Sequence, residues 1–289
     1  MTEAAGLPPL AQDARRLARI AIDEDGAEDV TTLVTVAHAA QAVGVIEFRS
    51  GGVLAGTAYA DAVADVAGCT RPVWNARDGQ VLPPGAPAGL VRADLAALLR
   101  AERPLLNLLQ RASGIATMTR SYVEAVAGTG CRVLHTRKTA PGLRAFDIRA
   151  VLAGGGAMHR ADLAHAVMVK DNHWQALQQR DATLDAALAS ARARGVVACY
   201  VEVETMAQLE AACRAGATRL LIDNQAPGTL ADWTAAARRL SPGIEIEATG
   251  GITLENVRAY AETGVDFVSI GALTHSVRAA DIALEILPG

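Results

Sequence analysis

The sequence predicts an α/β protein in which an α+β unit at the amino end is followed by a (β/α) barrel. Residues 42–100 contain short β-prone runs separated by Gly and Pro, which are typical of antiparallel strands and turns. From residue 102 onward, short apolar runs alternate with helical stretches, which indicates a parallel sheet. Each of these runs ends in a charged, hydroxyl or glycine residue. Functional groups at successive strand ends are typical of a barrel.

A doubly wound open sheet also alternates strands with helices, and it remains the alternative to the barrel. Such a sheet usually carries one Gly-rich loop after its first strand. Here the polar strand ends recur along the whole segment, which favours the barrel. The chain has 289 residues, of which 51% are hydrophobic, and no long linker or low-complexity tract. We therefore expect two closely packed domains.

The amino-terminal part begins with a predicted helix over residues 10–22, where apolar residues recur at helical spacing. The acidic loop EDGAEDVTT follows this helix. The predicted antiparallel strands are VGVIEFRS, VLAG and GQVLPPGAPAGLV, and one helix, TAYADAVADVAG, interrupts them. Together these elements form the expected α+β unit.

The second part opens with a long predicted helix, ERPLLNLLQRASGIATMTRSYVEAVAG. Its predicted parallel strands are RVLHT, HAVMVKDN, CYVEVE, RLLIDN, IEIEATGG and DFVSIGA. Helices such as TMAQLEAACRAG and LENVRAYAETG lie between them. The carboxyl ends of these strands would meet at one mouth of the barrel.

Charge and cysteine usage exclude several classes of protein. The formal net charge of −4 argues against a partner that is a nucleic acid or a membrane surface. The four cysteines are scattered and form no CxxC pair, which indicates reduced thiols. No signal pattern opens the sequence, and no apolar run is long enough to span a membrane. We therefore expect a soluble cytoplasmic protein with small-molecule partners.

A group of cations stands out against this acidic background. Arg137 and Lys138 follow the strand RVLHT, His159 and Arg160 follow a run of three glycines, and Lys170 ends HAVMVK. Arg offers a planar fork to a carboxylate or phosphate, and Lys offers a point charge. Cations that converge repel one another unless an anion completes the site. Five solvated surface charges are the alternative interpretation, and the recurrence at strand ends favours a polyanion site.

Acidic residues share the same strand ends. Glu202 comes from CYVEVE and Asp223 from RLLIDN, and Glu247 from IEIEA lies on the next strand. Neighbouring carboxylates can hold Mg²⁺ through oxygen ligands and water. They can also stabilise a developing cation. Ion pairs with the basic group are the other interpretation, and both can hold together.

Small-residue loops follow the last two strands. Thr249, Gly250 and Gly251 come after one strand, and Gly271 comes after the other. Loops after the late strands of a barrel are a recurrent phosphate site, because glycine lets backbone N–H groups approach closely. A tight turn is the alternative. His275 could touch a phosphate or leaving group, whereas His173 would cap a helix and His38 and His165 would be ordinary surface or helix residues.

The motifs TRKTAPGLR, GGG-x-x-HR and VKDNH resemble the quinolinate phosphoribosyltransferase family. The resemblance extends over nearly the full length and includes AERPLLNLLQRASGIAT and VSIGALTHS. It implies an amino-terminal α/β sandwich domain over residues 1–110 and an open, seven-stranded (β/α) barrel over residues 111–289. It also implies that the last helix returns to the amino-terminal domain.

The resemblance implies a reaction and an assembly. Quinolinate and phosphoribosyl pyrophosphate would give nicotinate mononucleotide, pyrophosphate and CO₂ with Mg²⁺, a step of NAD biosynthesis. The protein would be a homodimer, or a higher homo-oligomer, whose subunits share active sites. We therefore expect an enzyme of the pentosyltransferase class.

The resemblance also assigns site residues. Arg103 would reach across the dimer to a quinolinate carboxylate, while Arg137, His159 and Arg160 would bind the dicarboxylate. Lys138 and Lys170 would serve substrate and pyrophosphate groups, and Glu202 and Asp223 would face the ribose and Mg²⁺. The 5′-phosphate and pyrophosphate would be surrounded by Thr249, Gly250, Gly251, Gly271 and His275. Lys138, Glu202 and Asp223 are the residues expected to be catalytic.

Four departures from the family pattern bear on the substrate. Met158 stands where Asn is usual, His135 replaces the common Asp or Gly, Tyr200 replaces a Glu, and Thr249 replaces a Ser. AVLAGGG also resembles the molybdenum-transport-associated pyrophosphorylases, which generally lack the lysine present here as Lys170. A paralogue of that type, or one using another pyridine carboxylate, stays an alternative. So does a non-catalytic sensor, although the presence of Glu202, Asp223 and Lys170 together argues against it, because a protein that only binds has no need of transition-state acids.

Overall fold

The computed structural model describes residues 6–37 and 39–287, and it divides the chain into two compact units. The first unit contains the described part of Met1–Arg120, together with Lys138–Gly156 and the described part of Ala272–Gly289. The second contains Ser121–Arg137 and Ala157–Gly271. The predicted α/β class is confirmed, because one unit carries an antiparallel sheet and the other a parallel sheet.

The first unit combines helices with two antiparallel sheets. A four-stranded sheet has the order β12-β1-β5-β3, and β2 pairs with β4. The helices and strands of this unit are α1 (Leu10–Glu24), α2 (Val30–Thr35), β1 (Gln41–Phe48), β2 (Gly52–Val53), α3 (Thr57–Ala67), β3 (Val73–Trp74), β4 (Val81–Leu82), β5 (Ala86–Asp94), most of α4 (Leu95–Ala125), α5 (Arg144–Ala153), α11 (Ala272–His275) and β12 (Ile282–Leu287). The predicted helices over residues 10–22 and 57–68 are confirmed as α1 and α3.

The central strand of this sheet shows the expected alternation. Along β1, every second residue is buried, and Ile46 and Phe48 are wholly buried. This period of two places one face of the strand in the core. The last described element, β12, pairs antiparallel with β1 from Val43–Leu287 to Phe48–Ile282. Alternating burial along IALEIL suits a strand. The last helix, α11, belongs to the same unit, and its expected return to the amino-terminal domain stays a prediction.

Helix α4 begins earlier than the sequence indicates. The predicted start lies at residue 102, but the helix begins at Leu95 and runs through Pro104. An interior proline removes a backbone hydrogen bond and usually ends a helix. Leu98, Ala101 and Leu105 are buried on either side of it. Burial of this apolar face outweighs the local cost.

The second unit is built on six parallel strands. They are β6 (Arg132–Leu134), β7 (Val167–Val169), β8 (Cys199–Val203), β9 (Arg219–Asp223), β10 (Glu245–Thr249) and β11 (Phe267–Ser269). Their spatial order is β6-β11-β10-β9-β8-β7. The helices of this unit are α6 (Asp171–Gln179), α7 (Leu184–Ala193), α8 (Met206–Arg214), α9 (Pro227–Leu240) and α10 (Val257–Ala261), and the end of α4 also belongs to it.

The strand count differs from the expected seven. Leu134 of β6 makes an isolated parallel bridge to Ala157, on a segment that does not extend into a strand. Ala157 N donates to Val133 O at 2.8 Å and continues the same pairing. The position of a seventh strand is thus marked by one bridge. Among the described strands, β6 and β7 end the sheet, which is open.

The three glycines before Ala157 serve packing within the first unit. A Cβ on Gly154 would lie 2.5 Å from Ala116 O, and one on Gly156 would lie 3.0 Å from Thr119 Cγ2. Gly155 has a φ of 95°, in the left-handed region. The glycine run therefore lets the end of α5 approach α4 closely. No helix among the described residues is long and apolar enough to cross a membrane.

Candidate active site

The carboxyl ends of the parallel strands carry most of the predicted site residues. Lys170 directly follows β7, Glu202 lies near the end of β8, and Asp223 and Thr249 are the last residues of β9 and β10. Arg137 comes three residues after β6, and Gly271 two residues after β11. Because the strands are parallel, these residues lie at one edge of the sheet in the second unit.

Three predicted site residues belong to the first unit instead: Arg103, Lys138 and His275. Arg103 is exposed on α4 and lies 3.6 Å from Glu102. The carbonyl of Lys138 accepts a hydrogen bond from Thr274 Oγ1 at 2.8 Å, which joins Lys138 to α11 within the first unit. His275 Nδ1 lies 2.7 Å from Ser276 Oγ. Arg103 and His275 are exposed side chains.

An ion pair with a buried carboxylate supports the loop after TRKT. Arg111 donates to both carboxylate oxygens of Asp147 at 2.9 Å, and to Thr274 O at 3.2 Å. Asp147 also accepts from Ala140 N at 3.3 Å. Burial raises the pKa of Asp147, while Arg111 opposes that shift. The pair anchors the loop from within the first unit, and neither residue belongs to the predicted site.

Arg137 and Arg160 form the cationic centre of the second unit. Arg160 donates from Nη1 to Ala166 O at 3.2 Å. The Nε atoms of Arg137 and Arg160 are both buried and have no hydrogen-bond partner among residues 6–37 and 39–287. Burial lowers the pKa of Arg160, and the charge of Arg137 lowers it further. Two partly buried guanidinium groups with unused donors are suited to an anion with several oxygens.

Lys170 and Glu202 form an ion pair between neighbouring strands, through Nζ and Oε2. Glu202 is buried, whereas Lys170 remains partly exposed. Asp223 lies on the next strand and accepts from Asn224 Nδ2 at 2.6 Å. Burial raises the pKa of Asp223, and the negative charge of Glu202 raises it further. These two carboxylates repel each other, so a cation between them would be stabilised.

The loop after β10 is a tight structure. Gly250 and Gly251 have φ values of 85° and 60°. A Cβ on Gly250 would lie 2.1 Å from Asn224 Oδ1. Thr253 N and Gly251 O both bond the side chain of Asn256, at 2.8 and 3.0 Å. The turn interpretation is therefore correct, and it leaves a phosphate role open, because the same glycines permit close backbone approach.

A buried network of charged residues, which sequence reasoning missed, surrounds Glu247, two residues before the end of β10. Glu247 accepts from Ser269 Oγ and from Arg219 Nη1, the latter at 3.1 Å. His159 Nε2 lies 3.2 Å from Glu247 Oε2. Burial by itself would raise the pKa of Glu247, but His159, Ser269 and Arg219 bring it below its usual value. For Glu247, the ion-pair interpretation is the correct one.

Arg219 completes this network at the start of β9. It donates to Glu245 Oε2 from Nε and Nη2, at 2.9 and 2.7 Å. Its guanidinium lies 4.6 Å from the ring centre of Tyr200 and 4.1 Å from that of Phe267. The sequence does contain a signal for this network. Glu245 and Glu247 are two residues apart on β10 and Glu245 pairs with Arg219, so all three side chains face one side of the sheet.

The remaining histidines divide between structure and surface. His135 is wholly buried, and its Nε2 accepts from His159 N at 3.0 Å. Burial lowers the pKa of His135 to about 4. His173 Nδ1 accepts from Lys170 N at 3.1 Å, which confirms the predicted cap. His165 is exposed beside Asp162, as expected, and His38 lies outside the described residues.

The described ranges, 6–37 and 39–287, contain many side chains of the types that ligate metal ions. No three His, Cys, Asp or Glu side chains come together there in a way that could hold a metal ion. Glu202 and Asp223 supply two carboxylates, which is one ligand fewer than three. Each of the four cysteines is buried and free.

Family models match almost the whole chain. The model of the quinolinate phosphoribosyl transferase N-terminal domain matches residues 29–113. The model of the C-terminal domain matches residues 115–285. The second match contains every predicted site residue except Arg103, which lies in the first.

Curated relatives agree with this match. A nicotinate-nucleotide pyrophosphorylase [carboxylating] of Mycobacterium leprae is 40% identical over 267 residues, which cover 89% of this chain and 91% of that protein. A probable nicotinate-nucleotide pyrophosphorylase [carboxylating] of Bacillus subtilis is 41% identical over 218 residues, covering 75% and 73%.

Solved structures show the same fold. The nicotinate-nucleotide pyrophosphorylase of Francisella tularensis superposes with a TM-score of 0.90 at 28% identity, over 99% of this chain and 100% of that one. NadC of Streptococcus pyogenes gives 0.87 at 33% identity, over 98% and 99%. The similarity thus extends over both units.

Proposed function

The chain belongs to the quinolinate phosphoribosyl transferase family, and we propose that it transfers phosphoribose to quinolinate with loss of CO₂. The pyridine nitrogen attacks the anomeric carbon of phosphoribosyl pyrophosphate, and pyrophosphate leaves. The bond between the ring and the adjacent carboxylate then breaks, and CO₂ leaves. The electron pair left on the ring carbon takes up a proton from water, which gives nicotinate mononucleotide. This reaction would place the enzyme in NAD biosynthesis. The relatives described above carry names that fit it.

The observation that carries the proposal is the Arg137 and Arg160 pair. Each guanidinium has a buried Nε without a hydrogen-bond partner in the described chain. The repulsion between the two charges is relieved when a dianion binds between them. Quinolinate is a ring diacid whose two carboxylates supply the required oxygens. Lys170, Lys138 and Arg103 are the further cations proposed for the substrates, and His159 is proposed beside them for the dicarboxylate.

The acids of the site suit the second half of the chemistry. As pyrophosphate leaves, the ribose gains positive charge, which nearby carboxylates stabilise. Glu202 and Asp223 end neighbouring strands and are both partly or wholly buried. Holding the two anionic substrates in line is mainly a positioning task. Thr249, Gly250, Gly251, Gly271 and His275 are proposed for the 5′-phosphate and pyrophosphate.

Mg²⁺ is proposed as the cofactor. The raised pKa of Asp223, caused by burial and then by the charge of Glu202, indicates a place where a cation is favourable. Carboxylate oxygens are the ligands that Mg²⁺ prefers, completed by water or phosphate oxygens. Glu202 and Asp223 would hold it directly or through water. When bound, the ion would neutralise charge on the pyrophosphate group.

A shared active site is proposed for a homodimer in the cytoplasm. Arg103 is 59% exposed and makes only a 3.6 Å ion pair with Glu102 among the described residues, so its donors are available to a partner's substrate. The four free cysteines suit a reducing compartment. Arg103→Ala and Arg137→Ala subunits, each weak in quinolinate binding, should regain the wild-type quinolinate KM in one site of each hybrid dimer when they are mixed. Hybrids in which every site keeps the raised KM would contradict sharing.

The reaction is tested with purified protein, Mg²⁺, phosphoribosyl pyrophosphate and carboxyl-labelled quinolinate. We expect CO₂, pyrophosphate and nicotinate mononucleotide in equal amounts. Turnover with nicotinate or another ring acid, but not with quinolinate, would instead favour a different acceptor. Met158 and Tyr200, which depart from the family pattern, are the reason to test such acceptors. Binding of quinolinate without any product would indicate a sensor.

A further inference from the structure

Glu247 is a buried carboxylate that has no role among the residues proposed to bind the substrates. It lies in the middle of β10, two residues before Thr249, and is 1% exposed. Its Oε1 accepts from Ser269, and its Oε2 receives Arg219 and His159. A carboxylate so buried and so fully bonded cannot contact a substrate. Its effect must be transmitted through a neighbour.

His159 is the neighbour that directly precedes Arg160. Its Nδ1 accepts from the backbone N of Arg160 at 2.7 Å, so Nε2 carries the proton that faces Glu247. Both ring nitrogens are therefore engaged. Glu247 fixes the tautomer that lets His159 accept from Arg160. Orientation of the imidazole is thereby coupled to the main chain at Arg160.

A second buried group holds the same segment from the other side. The backbone N of His159 donates to His135 Nε2 at 3.0 Å, and the His135 ring is wholly buried. Residues 159 and 160 thus have both backbone N–H groups bonded to imidazole nitrogens. These bonds act on a segment that forms neither a helix nor a strand.

Arg160 needs such a restraint. Arg137 repels its guanidinium, and only the bond from Nη1 to Ala166 O holds the head group within the described residues. Without a fixed main chain, the repulsion would drive the two guanidinium groups apart before a diacid binds. A pre-organised pair loses less entropy on binding.

We propose that Glu247 and His135 are positioning residues for the dicarboxylate: by clamping His159, they hold Arg160 beside Arg137. This inference rests on the proposed function. In it, the His159 ring acts as part of the clamp, and the guanidinium groups make the charge-assisted bonds to the ring acid. The same clamp has no contact with the acids that face the ribose.

The test compares Glu247→Gln with Glu245→Gln. Both changes remove one negative charge from the same strand, and both carboxylates accept from Arg219, but only Glu247 contacts His159. We expect Glu247→Gln to raise the quinolinate KM roughly tenfold while the phosphoribosyl pyrophosphate KM stays within about twofold. Glu245→Gln should leave both within about twofold. An unchanged quinolinate KM in folded Glu247→Gln, or an equal rise of both KM values, would overturn the clamp.

A second pair of variants covers the case in which Glu247→Gln does not fold. His135→Leu removes the acceptor for His159 N–H, whereas His135→Gln keeps one. The quinolinate KM should rise in the first and recover in the second, and equal values in both would refute the proposal. If the wild-type protein shows no turnover, the proposed reaction fails. The quinolinate Kd from calorimetry then replaces KM and tests the clamp separately.

Discussion

The guanidinium groups of Arg137 and Arg160 lie close enough in the second unit for the charge of Arg137 to lower the pKa of Arg160. Burial lowers the pKa of Arg160, and the positive charge of Arg137 is the next cause. Both groups keep a buried Nε that no described residue bonds. Two like charges held together in this way are stabilised when an anion joins them.

Removing either guanidinium should weaken quinolinate binding. Arg137→Ala and Arg160→Ala are each expected to raise the quinolinate KM at least about tenfold, because a charge-assisted hydrogen bond contributes roughly 1.5–3 kcal/mol. Steady-state kinetics at saturating phosphoribosyl pyrophosphate measure this. Arg180→Ala, an exposed arginine at the end of α6, is the control and should have no effect. Unchanged kinetics in both site variants would refute the assignment.

Asp223 should give the reaction an acid limb. Burial raises its pKa, so its carboxylate takes up a proton at a higher pH than an exposed aspartate does. If the ionised form stabilises the ribose cation, kcat should fall as the pH is lowered through this pKa. Asp223→Asn should reduce kcat about a hundredfold and remove that limb from the residual activity. Asp232→Asn, on the exposed side of α9, should keep the wild-type profile; an Asp223→Asn enzyme that also keeps it would contradict the role.

His135 should make the protein less stable in mild acid. Burial lowers its pKa from 6.5 to about 4, so the unfolded state binds a proton more readily than the folded state between these values. The stabilisation is complete above pH 6.5 and is lost as the pH falls toward 4. Between pH 7.5 and pH 5, wild type should lose roughly 2 kcal/mol more unfolding free energy than His135→Gln. Urea unfolding at both pH values measures the difference, and parallel losses would be evidence against it.

Gly154 should tolerate no side chain, although its backbone would accept one. Its φ is −69°, but a Cβ would lie 2.5 Å from Ala116 O and 2.6 Å from Thr119 Cβ. Gly154→Ala should therefore lower the unfolding free energy by about 1–3 kcal/mol through overpacking. Gly228→Ala in α9, where a Cβ meets nothing within 4 Å, is the matched control. It should be neutral or slightly stabilising, and a similar loss in both variants would argue against the steric cause.

Local patterns were sufficient for much of the architecture. The alternation of apolar runs with helical stretches predicts the parallel strands β6–β11, because hydrophobic periodicity depends only on residues that are close in sequence. The strand-end positions of Lys170, Asp223 and Thr249 follow from the same pattern. The sequence prediction missed the helix start at Leu95, because Pro104 and the strand-like residues before it favour a later start. Burial of Leu98 and Leu105 stabilises the first turns of the helix and explains the earlier start.

The sequence by itself determined the α/β class, the family and the cations that the site has available. Only the tertiary structure decided that β12 joins β1, that Gly154 lies against α4, and that Glu247 binds Arg219 and His159. The physical reason is distance along the chain. Glu247 and His159 are 88 positions apart in the numbering, and nothing local to either residue specifies the other. Their contact exists because parallel strands bring alternate side chains to one interior, where a buried charge must find a partner.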